Sequence, residues 1–225
     1  PDKVEFKRRD FGILLHTEIT ISPEDNLEVR RVTVKNLSNK PRRIELTSYA
    51  EVVLGKTRAD QAHPAFAKMF IESEFVPDYD ALIFSRRPRS VHEEKLYMMH
   101  MVSMSVVWAK LQFDTARDEF LGRGNSIHTP LALEPGEKLK GSVGAVLDPV
   151  FALRTRLEIE PGEQQQASFI TSVSNSRDEL LRLAKRYHEV QSVTRAFELA
   201  WSQSNVELRH EQMTIGQTHM FQRLA

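Results

Sequence analysis

The side chains with chemical potential gather in a few short blocks. Phe120-Leu121-Gly122-Arg123-Gly124 places an arginine between two glycines. Glycine alone reaches positive φ without steric cost, so this spacing marks a tight turn that presents a cation. Leu147-Asp148-Pro149-Val150-Phe151-Ala152-Leu153-Arg154 follows, an Asp-Pro step entering an apolar run, the mark of an extended entry into a buried strand. Three carboxylates, Asp114, Asp118 and Glu119, lie close in sequence to Arg117 and Arg123. Glycoside cleavage needs a positioned acid, usually with a second carboxylate across the substrate. Arginine neighbours favour the ionised form and unsuit a carboxyl for that work at neutral pH. These residues therefore read as structural, and no catalytic residue is assigned.

Other candidates divide between binding and plain structure. Arg86-Arg87-Pro88-Arg89 is the densest basic cluster. It reads as a turn after the apolar run Ala81 to Phe84, whose guanidinium forks suit sugar hydroxyls or an interface ion pair. His63-Pro64-Ala65-Phe66 reads as a loop after a long strand, with His63 and Phe66 either forming a sugar-stacking platform or plugging the core. The eight histidines are scattered, and His92-Glu93 is not followed by the second histidine of a helical zinc motif, so no metal site is expected. Gly55-Lys56-Thr57 resembles the end of a phosphate loop, but Ala50 stands where that loop needs its first glycine, which excludes it.

The elements that must hold these blocks are mostly strands. Residues 11–175 read as β. Ile44, Leu46, Ser48, Ala50, Val52 and Leu54 fall on one side of a period-2 pattern. Leu27 to Val34 is a second strand, and the turn-rich residues 36–41 between them predict an antiparallel hairpin or meander. Asn36-Leu37-Ser38 matches a glycosylation acceptor but fits this turn better. Glu134-Pro135-Gly136-Glu137 and Glu160-Pro161-Gly162-Glu163 have the residue order of type II turns. Strand-like runs flank them, Leu131 to Leu133 before the first and Ala167 to Val173 after the second. Strands this numerous, without helical spacers, predict an antiparallel sandwich.

At Ser176 the period changes. Ser176-Arg177-Asp178-Glu179 predicts a capping box. Leu180, Leu183, Ala184 and Tyr187 follow at helical spacing, then Val193, Ala196, Phe197, Ala200 and Trp201 on a second stripe. A third helix is expected from Thr214. The division predicted is a sandwich over 1–175 and linker helices over 176–225, their apolar stripes needing something to pack on. Both ends read as cuts within a longer protein.

Composition narrows the class. In 225 residues, 31 Lys+Arg balance 31 Asp+Glu, which gives no support to a nucleic-acid or anionic-membrane partner. There is no cysteine, so disulfide and thiolate chemistry are excluded. The longest apolar stretch, Met98 to Phe113, is too short and polar to span a bilayer, and no signal-peptide pattern opens the chain.

Taken in order, Glu45 to Leu54 (ELTSYAEVVL), His63 to Phe66 (HPAF), Arg86 to Ser90 (RRPRS), FLGRG, LDPVFALR and the stretch from Ala196 (AFELAW, VELRH, FQRLA) resemble the glycoside phosphorylase family 94 region of cyclic β-1,2-glucan synthases. The resemblance covers nearly the whole chain. It implies a mainly β fold, an antiparallel supersandwich of the galactose-mutarotase-like type, joined by linker helices to an (α/α)6 barrel. It also implies that the general acid and phosphate-binding residues belong to that barrel, so this region is a non-catalytic part of an enzyme acting on β-1,2-glucan. No cofactor is implied. The implied partners are the barrel of the same polypeptide, β-glucan and a second copy, with the parent at the cytoplasmic face of a bacterial inner membrane and no membrane contact by this region. His63, Phe66, Arg86, Arg87, Arg89 and Arg123 are then the candidates for carbohydrate or interface contact. Asp114, Arg117, Gly122, Gly124, Asp148, Pro149 and Arg154 are the motif residues that define the fold. One departure stands out: Asp114-Thr115-Ala116-Arg117 puts alanine where the family usually has an acidic residue. Ile215-Gly216-Gln217 is also a weaker helix opening than expected.

Overall fold

The computed structural model describes residues 2–88, 90, 93–106 and 109–224. Among these described residues the strands are β1 (Val4–Asp10), β2 (Ile13–Ile21), β3 (Leu27–Asn36), β4 (Arg42–Glu51), β5 (Ile71–Val76), β6 (Ala81–Arg86), β7 (Leu96–Ser103), β8 (Gln112–Ala116), β9 (Gly144–Ala145), β10 (Pro149–Ile159) and β11 (Gln164–Ser174). The helices are α1 (Thr57–Ala62), α2 (Pro64–Lys68), α3 (Arg117–Leu121), α4 (Arg177–Tyr187), α5 (Val190–His210) and α6 (Ile215–Leu224), with 3-10 turns at Pro77–Tyr79 and Leu131–Leu133.

An eight-stranded antiparallel sheet, β1-β2-β3-β11-β7-β6-β5-β9, faces a three-stranded one, β4-β10-β8. The antiparallel sandwich expected from the strand periodicity is therefore the fold. Between the sheets lie Val32, Val34, Phe84, Val102 and Phe169 from the large sheet and Phe151, Leu153, Leu157 and Ile159 from the small one, with Val52 just beyond β4. On the other face of the large sheet, Val29, Ile83, Met99, Met101 and Ile170 meet α4 and α5. β6 is thus covered on both faces, which is why Ala81-Leu82-Ile83-Phe84 is a continuous apolar run rather than an alternating one.

The hairpin expected between the Leu27–Val34 strand (β3) and the strand that follows it (β4) does not form. β3 belongs to the large sheet and β4 to the small one, so residues 37–41 arch between sheets. The turn after β10 arches back beside it. Asn36, fully buried, ties the two arches: its amide donates to the carbonyls of Lys40 (2.7 Å) and Ile159 (3.0 Å), and its carbonyl group accepts Ser38 N–H (2.9 Å). Backbone bonds Asn36 N–H to Glu163 O (3.0 Å) and Gly162 N–H to Asn36 O (2.9 Å) complete the join. Period-2 patterning reports the face a residue occupies but not which sheet its strand joins. The same burial removes Asn36 as a glycan acceptor in the folded chain.

Helices also interrupt the β region, contrary to the expectation of none. His63 caps α2, which contains Pro64 to Lys68, so HPAF is helical rather than a loop. Leu131 to Leu133 forms a 3-10 turn rather than a strand. Strand structure begins at Val4, before residue 11. Gly136 and Gly162 take φ of 90° and 80°, as their turns require.

α4 and the first half of α5 find their partner in the large sheet itself. Leu180, Leu183, Ala184, Tyr187, Val193, Ala196 and Phe197 enter its core cluster. Trp201 departs from the predicted stripe and is 60% exposed. Ser176 Oγ accepts Glu179 N–H (3.3 Å), but Glu179 accepts Ser174 Oγ (2.6 Å) instead of closing a capping box. The reciprocal box occurs at α6, where Gln217 Oε1 accepts Thr214 N–H (2.8 Å) and Thr214 Oγ1 accepts Gln217 N–H (3.3 Å). The helix opening that looks weak in sequence is capped.

Candidate functional site

The FLGRG and LDPVFALR blocks meet at the outer face of the small sheet. α3 carries Phe120 and Leu121 down onto Ala152 of β10, with Ala132 and Leu139 from the following segment completing a small core. Phe120 stacks on Tyr49 at 4.4 Å between ring centroids. Gly122 ends α3 at φ 78°, and a Cβ there would lie 2.7 Å from Leu131 Cβ, so both conformation and space demand glycine. Gly124 has φ 81° with open space around it.

Arg154 fastens this cover. It is 3% exposed and donates to Thr47 Oγ1 (3.0 Å), Glu137 O (2.9 Å) and Ala132 O. Burial lowers its pKa, opposed by the Glu45 carboxylate. Asp114 fastens the cover's far end: buried, it accepts Ala116 N–H (3.0 Å) and Lys140 N–H (2.9 Å). The predicted pairing of this carboxylate with the nearby arginines is therefore replaced by backbone donors, which sequence distance cannot reveal. Glu119 pairs with Lys140. Ala116, at the position where the resembling family is acidic, is only 6% exposed.

Arg117 turns instead to the other block. It donates to Glu51 (2.9 Å) and lies 3.6 Å from Asp148. Lys68 of α2 bridges the same two carboxylates, at 3.3 Å to Glu51 and 2.7 Å to Asp148. Burial would lower the Lys68 pKa, but its bonds to Asp148 and Glu51 outweigh that and raise it, so the ammonium is held. Two cations and two anions thus knit α2, β4, α3 and the start of β10. Pro149, first residue of β10, needs no ladder donor there.

The candidate contact residues divide. Arg86, expected in a solvated turn, lies within β6, is 6% exposed and pairs with Glu93; the strand outruns the apolar stretch that signalled it. Arg87 is exposed, and its N–H bonds Phe70 O (2.9 Å). Phe66 is 50% exposed, neither core plug nor fully free, and sits edge-on to Phe70 at 5.3 Å. Phe66 and Arg87 therefore meet at Phe70, with exposed His63 at the head of the same short helix. Arg123 is exposed in the cover over the small sheet. Arg89 lies outside the described residues.

His100 is the histidine that sequence spacing leaves unmarked. It is 2% exposed, with its ring nitrogens 2.9 Å from Thr171 Oγ1 and 3.1 Å from Ser48 Oγ. Burial drives its pKa down to about 3, so the ring is neutral. Among the described residues one trio has metal-type ligand atoms in mutual reach, Glu5, His16 and Glu18. Lys3 already bridges both carboxylates at 2.6 Å, and Arg31 holds Glu18 at 2.8 Å. Burial alone would raise the Glu18 pKa, yet these two cations hold it below the ordinary value. The trio is an ion-pair cluster between β1 and β2.

Comparison with known proteins agrees with this architecture. The chain is 32% identical over 224 residues to the cyclic beta-(1,2)-glucan synthase NdvB of Rhizobium meliloti (strain 1021), covering 99% of this chain and 8% of that protein. The chain thus spans under a tenth of the curated relative it matches. Among solved structures, "Putative kojibiose phosphorylase from human microbiome" superposes with a TM-score of 0.50 at 7% identity, covering 88% of this chain and 22% of that one. That likeness is one of fold. A model of the glycosyl hydrolase 94 supersandwich domain matches residues 1–190, which take in both sheets, the arches between them, the motif-bearing cover and α4. By its two facing sheets and by its sequence alike, this chain belongs to the glycosyl hydrolase 94 supersandwich-domain family.

Proposed function

We propose that this chain is the non-catalytic supersandwich domain of a longer carbohydrate-active enzyme of the cyclic β-1,2-glucan synthase and glycoside phosphorylase kind. Residues 1–175 form the sandwich unit and 176–225 lead to an (α/α)6 barrel of the same polypeptide. The domain docks on that barrel, shapes the rim of its active site and supports dimerisation, and the parent works at the cytoplasmic face of the inner membrane. Among the described residues no helix is long and apolar enough to cross a membrane.

One observation carries the docking reading. The first half of α5 buries Val193, Ala196, Phe197 and Ala200 against the sheet, whereas from Trp201 to His210 no residue is buried. That second half nevertheless carries Trp201 at 60% and Val206 at 65% exposure. A well-formed helix leaving its own sheet with large apolar side chains displayed has the anatomy of an interface awaiting another domain.

The test is reconstitution. Mixing this chain with the separately produced region that follows it in the parent should give a stable complex by light scattering and restore glucan-directed activity. A chain that stays strictly monomeric and restores nothing would overturn the proposal.

A further inference from the structure

A small cleft lies between residues of the two sheets, and its walls are unlike the rest of the core. Its volume is about 180 Å³. The register places Glu28, Thr171 and His100 side by side across β3, β11 and β7, a polar row on the face that otherwise holds Val34, Phe169 and Phe84. Ser48 of β4 closes the row from the opposite sheet by its contact to His100. At the mouth Arg30, exposed, pairs with Glu28 at 3.0 Å.

Each polar group here is fixed and yet has capacity to spare. A neutral imidazole donates from one nitrogen and accepts at the other. One of the two hydroxyls beside His100 therefore keeps its own proton to donate, and the other keeps free lone pairs. The His100 ring is clamped at 3.8 Å over Phe151, so these hydroxyls cannot drift with it. The Glu28–Arg30 pair adds further acceptors and donors but no net charge. A phosphate or carboxylate would need an uncompensated cation, and a metal would need uncompensated ligands. The complement of this wall is a neutral molecule carrying hydroxyl groups that both donate and accept. As to size, a cavity of about 150 Å³ is known to hold one benzene ring, so this space admits a single six-membered ring or its edge.

We propose that this cavity is a binding site for one neutral pyranose unit, entered past Arg30 and read by the hydroxyls of Ser48 and Thr171. The site is separate from the His63–Phe66–Arg87 patch and from the exposed half of α5. Its failure would leave the docking reading standing, because docking is tested by assembly and this site by sugar binding.

The experiment titrates D-glucose and the β-1,2-linked disaccharide sophorose into the full chain, read by two-dimensional amide NMR and calorimetry. Saturable binding is expected at millimolar sugar, with shifts centred on Ser48, Thr171 and the His100 strand. Arg30→Ala, at an exposed site, and Thr171→Val should each weaken it tenfold or more. Glucose 6-phosphate should bind no better than glucose. Absence of saturation, shifts centred on Phe66, or affinity unchanged in Arg30→Ala would each overturn the proposal, leaving the space to water.

Discussion

At the residue scale, His100 and Gly122 show how position converts an ordinary side chain into a constraint. His100 has an unfolded-state pKa near 6.5 and a folded one of about 3. Below pH 6.5 the unfolded chain takes up a proton that the folded chain refuses, so stability falls as pH drops from 6.5 towards 3. One such group contributes at most about 1.4 kcal/mol per pH unit. Chemical denaturation across that range should show this component in the unsubstituted chain and lose it in His100→Gln. Gly122→Ala meets both a positive φ and Leu131, whereas Gly124→Ala meets strain alone. We expect about 1 kcal/mol lost for Gly124→Ala and clearly more for Gly122→Ala, compared by urea unfolding. The glycines of FLGRG were legible as turn formers from their type. The crowding that separates them was not, because Leu131 reaches Gly122 only after the chain has doubled back.

At the element scale, the cover over the small sheet depends on buried polar anchors rather than on strand pairing. Arg154→Met keeps the bulk of the side chain but orphans the carbonyls of Ala132 and Glu137. A loss of about 3 kcal/mol is expected, with limited proteolysis first cutting within residues 122–143. Thr214→Ala removes one arm of the α6 capping box. It should cost that helix about 1 kcal/mol, read as faster amide exchange in α6 with the sandwich unaffected. The strands themselves were largely legible, since alternation in β4 and the unbroken apolar run of β6 both follow from burial. The exchange of strands between sheets was not legible, because an arch and a hairpin use the same turn residues.

At the scale of the whole molecule, the sandwich is wrapped on three surfaces: α4 and the first half of α5 on the large sheet, the motif-bearing cover on the small one, and the arches at one end. The second half of α5 stands apart from all of them. Trp201→Glu combined with Val206→Glu should leave the melting temperature of this chain nearly unchanged, since exposed substitutions usually lie within about 0.5 kcal/mol. The same pair should abolish complex formation with the following region. A large fall in melting temperature would instead place these side chains in the domain's own packing.

Fold class, family and the helical stripe that binds the large sheet are readable along the chain, because period, turn chemistry and residue order are local properties. Which side chains become partners emerges only in the packed fold. Arg117 passes over its sequence neighbours for Glu51 and Asp148, and Asp114 takes two backbone donors. His100, one scattered histidine among eight, becomes the floor of a polar row only when β3, β11 and β7 lie in register. Burial and pairing are long-range quantities, set by which strands meet and not by which residues are adjacent.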